Sequence, residues 1–158
     1  MAYRAFISYS TKDLPLVEMA KQLLNQASID VFVAEHSILP GESLMQNIIS
    51  AIKSCDLFIL LWSDNSKSSE WVSKEVSIAR ADGKLIIPVL LKKDLTLPSF
   101  MNGIKYLKAY EEPEKSLEQL QKLVLLHQQK QQQQQIQQSN AMMVLGILAI
   151  IFLLAGRE

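Results

Sequence analysis

Trp71 and Glu75 stand four residues apart in Ser68-Ser69-Glu70-Trp71-Val72-Ser73-Lys74-Glu75-Val76. On a helix that spacing puts both on one face, one turn from each other. An aromatic ring beside a carboxylate can hold a planar ligand and stabilise positive charge on it. The apolar run at 57–62 ends in the turn-like Ser63-Asp64-Asn65-Ser66, so the order reads as buried strand, loop and helix start, with Ser68 or Ser69 as the cap. The pair then falls just past the carboxyl end of a strand, where open parallel α/β sheets bind their ligands. The plainer alternative is a helix whose Trp71 packs on the sheet while Glu75 is solvated.

The rest of the chain must place that helix. Residues 3–9 read as a short buried strand, with Ser10-Thr11-Lys12-Asp13 as its loop and Thr11 or Asp13 as a helix cap. A helix follows at 14–26, with Leu16, Val17, Met19, Ala20, Leu23 and Leu24 at helical spacing. A second strand is expected at 31–34, then a loop over 35–43 whose Pro40-Gly41 pair marks a turn. The second helix is expected at 44–53, the third strand at 57–62 and the third helix at about 69–82, ending near Gly83. Residues 85–91 form a fourth strand, in which Pro88 suggests a sheet edge or a break. A loop or short helical turn spans 98–103, a fifth short strand 104–110, and a last helix runs from 113 to about 127.

Five alternations of strand and helix predict an α/β protein with a flavodoxin-like, doubly wound, five-stranded parallel sheet in the order 2-1-3-4-5. In that order the first and third strands are neighbours. Ser8, Tyr9 and Ser10, at the end of the first, should therefore open into the same crevice as Trp71 and Glu75. No Gly-rich phosphate loop follows the first strand, which excludes dinucleotide binding in the Rossmann manner.

The chain has 158 residues, 49% hydrophobic and 20% charged, and a formal net charge of zero. No basic face for nucleic acid is indicated. The single cysteine, Cys55, excludes an internal disulfide and fits a reducing compartment. Cys55 reads as a small buried residue rather than a nucleophile, and His36 as an exposed loop histidine. No His, Cys or Asp cluster has metal-ligand spacing, and the first residues do not read as a signal peptide.

From about Tyr3 to His127 the chain resembles a TIR (Toll/interleukin-1 receptor) domain. Phe6-Ile7-Ser8-Tyr9 matches the family's first box, although Arg4 replaces the usual acidic residue. Pro40-Gly41 matches the second box, and Ser68 to Glu75 reproduce the Ser-x-x-Trp-x-x-x-Glu pattern of the third helix. Phe100-Met101-Asn102-Gly103-Ile104-Lys105-Tyr106 and Trp71-Val72-Ser73-Lys74-Glu75 look like segments of the animal TIR enzyme that drives axon degeneration.

TIR domains are either adaptors or enzymes that cleave NAD+ at the nicotinamide–ribose bond. The resemblance implies the second, with Glu75 catalytic, NAD+ as substrate and no further cofactor. Nicotinamide leaves NAD+ as a neutral base, so no general acid is needed. The positive charge that develops on the ribose is what a carboxylate stabilises. Trp71 and Tyr9 offer flat faces for nicotinamide or adenine, and Ser8 and Ser10 offer contacts to ribose or phosphate. The 35–43 loop, with His36 and Ser37, is expected to cover the site or meet a neighbouring subunit, with Pro40 and Gly41 in the assembly turn. Self-association is the expected route to activation.

From Gln128 the composition changes. Residues 128–140 are Gln-rich and read either as a linker or as an extension of the last helix. Residues 141–155 are uninterruptedly apolar, and 141–156 is the expected membrane helix. The run is slightly short for a span of about 20 residues. The expected organisation is a TIR domain over 1–127 on the cytoplasmic side, the Gln-rich segment, and a C-terminal lipid anchor. The flanking Lys130 and Arg157 do not orient it.

Overall fold

The computed structural model describes residues 3–33 and 43–155, with side chains as far as Phe152. Five parallel strands form one sheet in the order β2-β1-β3-β4-β5: β1 Arg4–Ser8, β2 Asp30–Val33, β3 Leu57–Trp62, β4 Ile86–Leu90 and β5 Leu107–Lys108. The helices are α1 Leu14–Gln26, α2 Leu44–Ser54, α3 Asp64–Lys67, α4 Glu70–Ala81 and α5 Pro113–Ala155.

β3 lies at the centre and every one of its residues is buried. That is why it reads as a continuous apolar run rather than an alternating one: a central parallel strand is covered on both faces. The parallel register aligns Phe6 with Phe32 on one side and with Phe58 on the other. The three rings stack across the sheet, with centroids 5.4 and 5.3 Å apart. Asp56 joins the starts of β1 and β3 by accepting from the Arg4 amide at 2.8 Å and donating its own amide to the Arg4 carbonyl.

Pro88 sits in β4, which has neighbours on both sides, so it marks neither an edge nor a break. The hydrogen bonds explain the tolerance. The Leu91 amide donates to Trp62 and the Leu85 carbonyl accepts from Phe58, so odd-numbered residues of β4 face β3. Pro88 therefore turns its nitrogen toward β5, which pairs only with Val89 and Leu90. The missing N–H costs no ladder bond. The fifth strand is also much shorter than the 104–110 expected. Gly103, at φ 85, begins a turn-rich approach, and only Leu107 and Lys108 pair.

One further expectation is corrected. The segment after β3 is the one-turn helix α3 rather than a turn, because Ser63 and Ser66 close a reciprocal capping box. Asp13 occupies the N-cap position of α1, as expected, but makes no side-chain cap bond; Ser10 caps the single 3-10 turn Thr11–Asp13. The stop at Gly83 has a plain cause. Gly83 adopts φ 67, and its amide and that of Lys84 return to the carbonyls of Arg80 and Ala79.

The chain divides into two compact units, up to Lys122 and from Leu123 onward. In the first, α5 buries Leu117 and Leu120, and the Gln121 side chain donates to the Leu23 carbonyl at 2.9 Å. In the second, the Gln-rich stretch is helical throughout. Its apolar continuation is exposed, with Met142, Leu145, Leu148 and Phe152 among the side chains facing outward. This helix is long and apolar enough to cross a membrane.

Candidate functional site

Three serines position α4. The Ser63 hydroxyl accepts from the amides of Asn65 and Ser66, both at 3.1 Å, while the Ser66 hydroxyl accepts from the Ser63 amide at 2.6 Å. The chain then turns, and Ser69 caps α4 by accepting from the Val72 amide at 3.3 Å. Packing of Val72, Val76 and Ala79 in the core cluster sets the rotation of α4 about its axis. Glu75 faces inward with them as a result.

Glu75 thus occupies a position in the core stripe of an amphipathic helix. It is 1% exposed, so the solvated alternative for this residue does not hold. One carboxylate oxygen, Oε2, accepts from the hydroxyl of Ser8, which is fully buried at the end of β1. The other, Oε1, is buried and has no hydrogen-bond partner among the described residues. No described ion pair neutralises the carboxylate. Burial pushes the Glu75 pKa up to about 7, and the Ser8 hydrogen bond holds it down in part. A buried carboxylate with one oxygen anchored and one vacant is suited to receive a cationic or hydroxyl-bearing ligand.

The Ser8 bond acts on the charged form of Glu75. Ser8→Ala removes it and leaves both oxygens without a donor, so the Glu75 pKa is expected to rise above its wild-type value of about 7. Carboxyl-carbon NMR titration of Glu75 measures the shift. An unchanged or lower midpoint would show that Ser8 does not govern the ionisation.

The other expected site residues are distributed as follows. Tyr9 is 3% exposed, so its ring belongs to the core rather than to an open face. Ser10 is buried and its hydroxyl accepts from the Lys12 amide. Trp71 is half-buried against the cluster that includes Phe6, Ile48 and Val76, and the Lys74 ammonium lies 5.3 Å from its ring centroid. Ser8 and Glu75 are therefore brought into direct contact, while Trp71 lies one turn away with a cation already on its ring. His36, Ser37, Pro40 and Gly41 lie outside the described residues.

Asp13 has a role that the sequence reading missed. Its carboxylate accepts from the Ser63 hydroxyl at 2.5 Å and from the Asn65 side-chain amide at 3.1 Å. It therefore ties the loop after β1 to the helix after β3. Only the pairing of β1 with β3 brings these distant positions together. A cleft of about 350 Å³, lined by Trp62, Lys67, Ser73, Ser77, Leu97 and Phe100, was also unforeseen. Cys55 is buried with its thiol on the Ile52 carbonyl at 3.1 Å, and burial pushes its pKa up, against a thiolate nucleophile.

Comparison with known proteins places this arrangement. Human Toll-like receptor 6 is 32% identical over 80 residues, which is 50% of this chain and 10% of the receptor. A Brachypodium distachyon protein, "Probable 2' cyclic ADP-D-ribose synthase BdTIR", is 29% identical over 101 residues, covering 61% of this chain and 45% of that protein. The chain thus spans less than half the length of either relative. Among solved structures, the TIR domain of the Toll-related receptor TRR-2 from Hydra magnipapillata superposes with a TM-score of 0.65 at 23% identity, covering 78% of this chain and 98% of that one. A TIR domain family model matches residues 5–124, a span that includes the β1–β3 pairing, Ser8 and Glu75, and the chain accordingly belongs to the TIR domain family.

Proposed function

We propose that this protein is a membrane-tethered TIR enzyme that cleaves the nicotinamide–ribose bond of NAD+. The observation that carries the proposal is the buried Glu75 carboxylate, anchored by Ser8 through one oxygen and unpartnered at the other. The relationship to a plant protein named for cyclic ADP-ribose synthesis supports it.

In the proposed reaction the ribose–nitrogen bond breaks and its electron pair leaves with nicotinamide, which departs neutral. Positive charge develops on the ribose ring, and ionised Glu75 stabilises it electrostatically. Water then attacks the anomeric carbon and loses a proton, giving ADP-ribose. Attack by an adenine nitrogen in its place gives a cyclic isomer. Glu75 must be ionised for either outcome, and the pyridinium cation of the substrate favours that form.

The test is incubation of purified protein with NAD+ at several protein concentrations, with products separated by chromatography. Nicotinamide should appear with linear or cyclic ADP-ribose. Specific activity should rise with protein concentration, as expected if the site is completed by self-association; a flat specific activity would count against that part of the proposal. Absence of NAD+ loss at every concentration would sink the enzyme reading. It would favour the second one, a TIR module that signals by TIR–TIR contact alone, which the similarity to a Toll-like receptor supports.

The pH profile offers a separate check. The free protein holds Glu75 with a pKa raised to about 7, so kcat/KM should climb about tenfold per pH unit below that value and level off above it. The kcat profile should level off at lower pH, because bound pyridinium stabilises the carboxylate. A kcat/KM profile that is flat from pH 5 to 8 (about one unit or more on each side of the raised pKa) would exclude Glu75 ionisation as a requirement.

A further inference from the structure

We infer that, in a membrane, the helical stripe of Gln132, Gln135, Ile136, Ser139 and Asn140 docks a second copy of the same helix, and that bilayer thickness controls this docking. The inference rests on the membrane-anchoring reading above.

The starting point is length. The apolar run 141–155, at about 1.5 Å per residue, covers roughly 22 Å of a hydrocarbon core about 30 Å thick. Arg157 limits extension on the far side. The deficit therefore falls on the turns before the run, which are helical, so Ile136, Gln137, Gln138, Ser139 and Asn140 are drawn toward the hydrocarbon. Polar side chains brought into that environment need hydrogen-bond partners. Lipid tails offer none, whereas another copy of the same helix does.

Gln132, Gln135, Ile136, Ser139 and Asn140 line one shallow groove of about 520 Å³ in this unit. Their spacing keeps them on one face of the helix. Gly146, seven residues beyond Ser139, continues the same stripe, and a Cβ there would meet nothing within 4 Å. Small residues of this kind let helix backbones approach closely in a bilayer. No ionisable side chain stands between Lys130 and Arg157, so parallel copies meet there without like-charge repulsion.

A thin bilayer leaves the Gln-rich turns in water and removes the reason to associate, whereas a thick one draws them in. The test uses the full chain, labelled at its N-terminus with donor or acceptor dyes and reconstituted at equal density into thin, intermediate and thick phosphatidylcholine vesicles. Flotation reports anchoring and energy transfer reports association. The chain should float with all three bilayers, and energy transfer should rise with thickness. The pair Ser139→Leu with Asn140→Leu lengthens the apolar run and removes its polar margin, and Gly146→Ile blocks close approach. Each should still float and should lower association in thick bilayers about fivefold or more. Failure of the wild-type chain to float anywhere would overturn the anchor reading and the docking with it. Flotation with energy transfer independent of thickness, or transfer unchanged in both variants, would overturn the docking while leaving the anchor intact.

Discussion

Glu75→Gln is expected to reduce NAD+ cleavage by about a hundredfold or more while leaving the fold in place. The substitution keeps the size of the side chain, and its carbonyl oxygen can still accept from the Ser8 hydroxyl that now bonds Oε2. What is lost is the negative charge. In a site with 1% exposure and no described ion pair, that charge acts in a poorly screened environment. Removing one well-placed electrostatic group from a transition state typically costs roughly 3–4 kcal/mol, which sets the expected loss of rate.

The same substitution has a signature in stability that is independent of turnover. Glu75 has a pKa of about 7 in the folded protein against the ordinary 4.5, so the folded state binds its proton more tightly than the unfolded chain does. Its contribution is fully present below pH 4.5 and is lost as pH rises through about 7. The shift corresponds to about 3 kcal/mol across that window. Glutamine does not titrate, so the variant should lack this fall. Thermal melting of both proteins from pH 4 to 8 checks it, over a window of about that width. A Glu75→Gln variant that retains the wild-type rate would refute the catalytic assignment; a pH dependence of melting that persists unchanged in it would refute the buried ionisation.

Removal of the tail should produce the second large effect. A chain ending at Lys130 is expected in the soluble fraction, while the full chain is expected with membranes. Nine of the residues at 141–155 are Val, Leu, Ile or Phe. At about 0.3–0.6 kcal/mol each in the centre of a bilayer, they favour insertion by roughly 3–5 kcal/mol, or a hundredfold and more. Ser8, Glu75 and the Asp13 bridge all belong to the first compact unit, so the shortened chain should keep the Glu75 titration and bind NAD+. Without a membrane to concentrate it, turnover should require a higher bulk concentration of protein. Membrane fractionation of both forms, followed by NAD+ assays across a concentration series, makes the comparison. Full-length protein found wholly in the soluble fraction as a defined oligomer would replace the anchor with an oligomer-buried helix.

The sheet was legible in the sequence because its signals are local. The continuous apolar run of β3, the Gly83 stop and the strand–helix alternation each follow from residues near in the chain, and the alternation calls for a doubly wound sheet, for which 2-1-3-4-5 is the common five-stranded order and the one observed. The place of Glu75 on the helix after β3 was also legible, whereas its burial was not stated. Val72, Val76 and Ala79 form a core stripe on α4, and the same helical spacing puts Glu75 among them as an ionisable group in an apolar row. The expected order already put Ser8 in the same crevice as Glu75; only the tertiary structure decided that Ser8, rather than Tyr9 or Ser10, bonds Oε2 and that Oε1 has no partner among the described residues. Ser8 lies 67 residues away in sequence, and the Asp13 bonds to Ser63 and Asn65 span 50 and 52. Those contacts exist because β1 pairs with β3, and no local propensity encodes which side chains a strand pairing will bring together. Pro88 makes the same point in reverse. Its missing amide argued locally against an interior strand, yet the two-residue length of β5 leaves that amide position without a partner to lose.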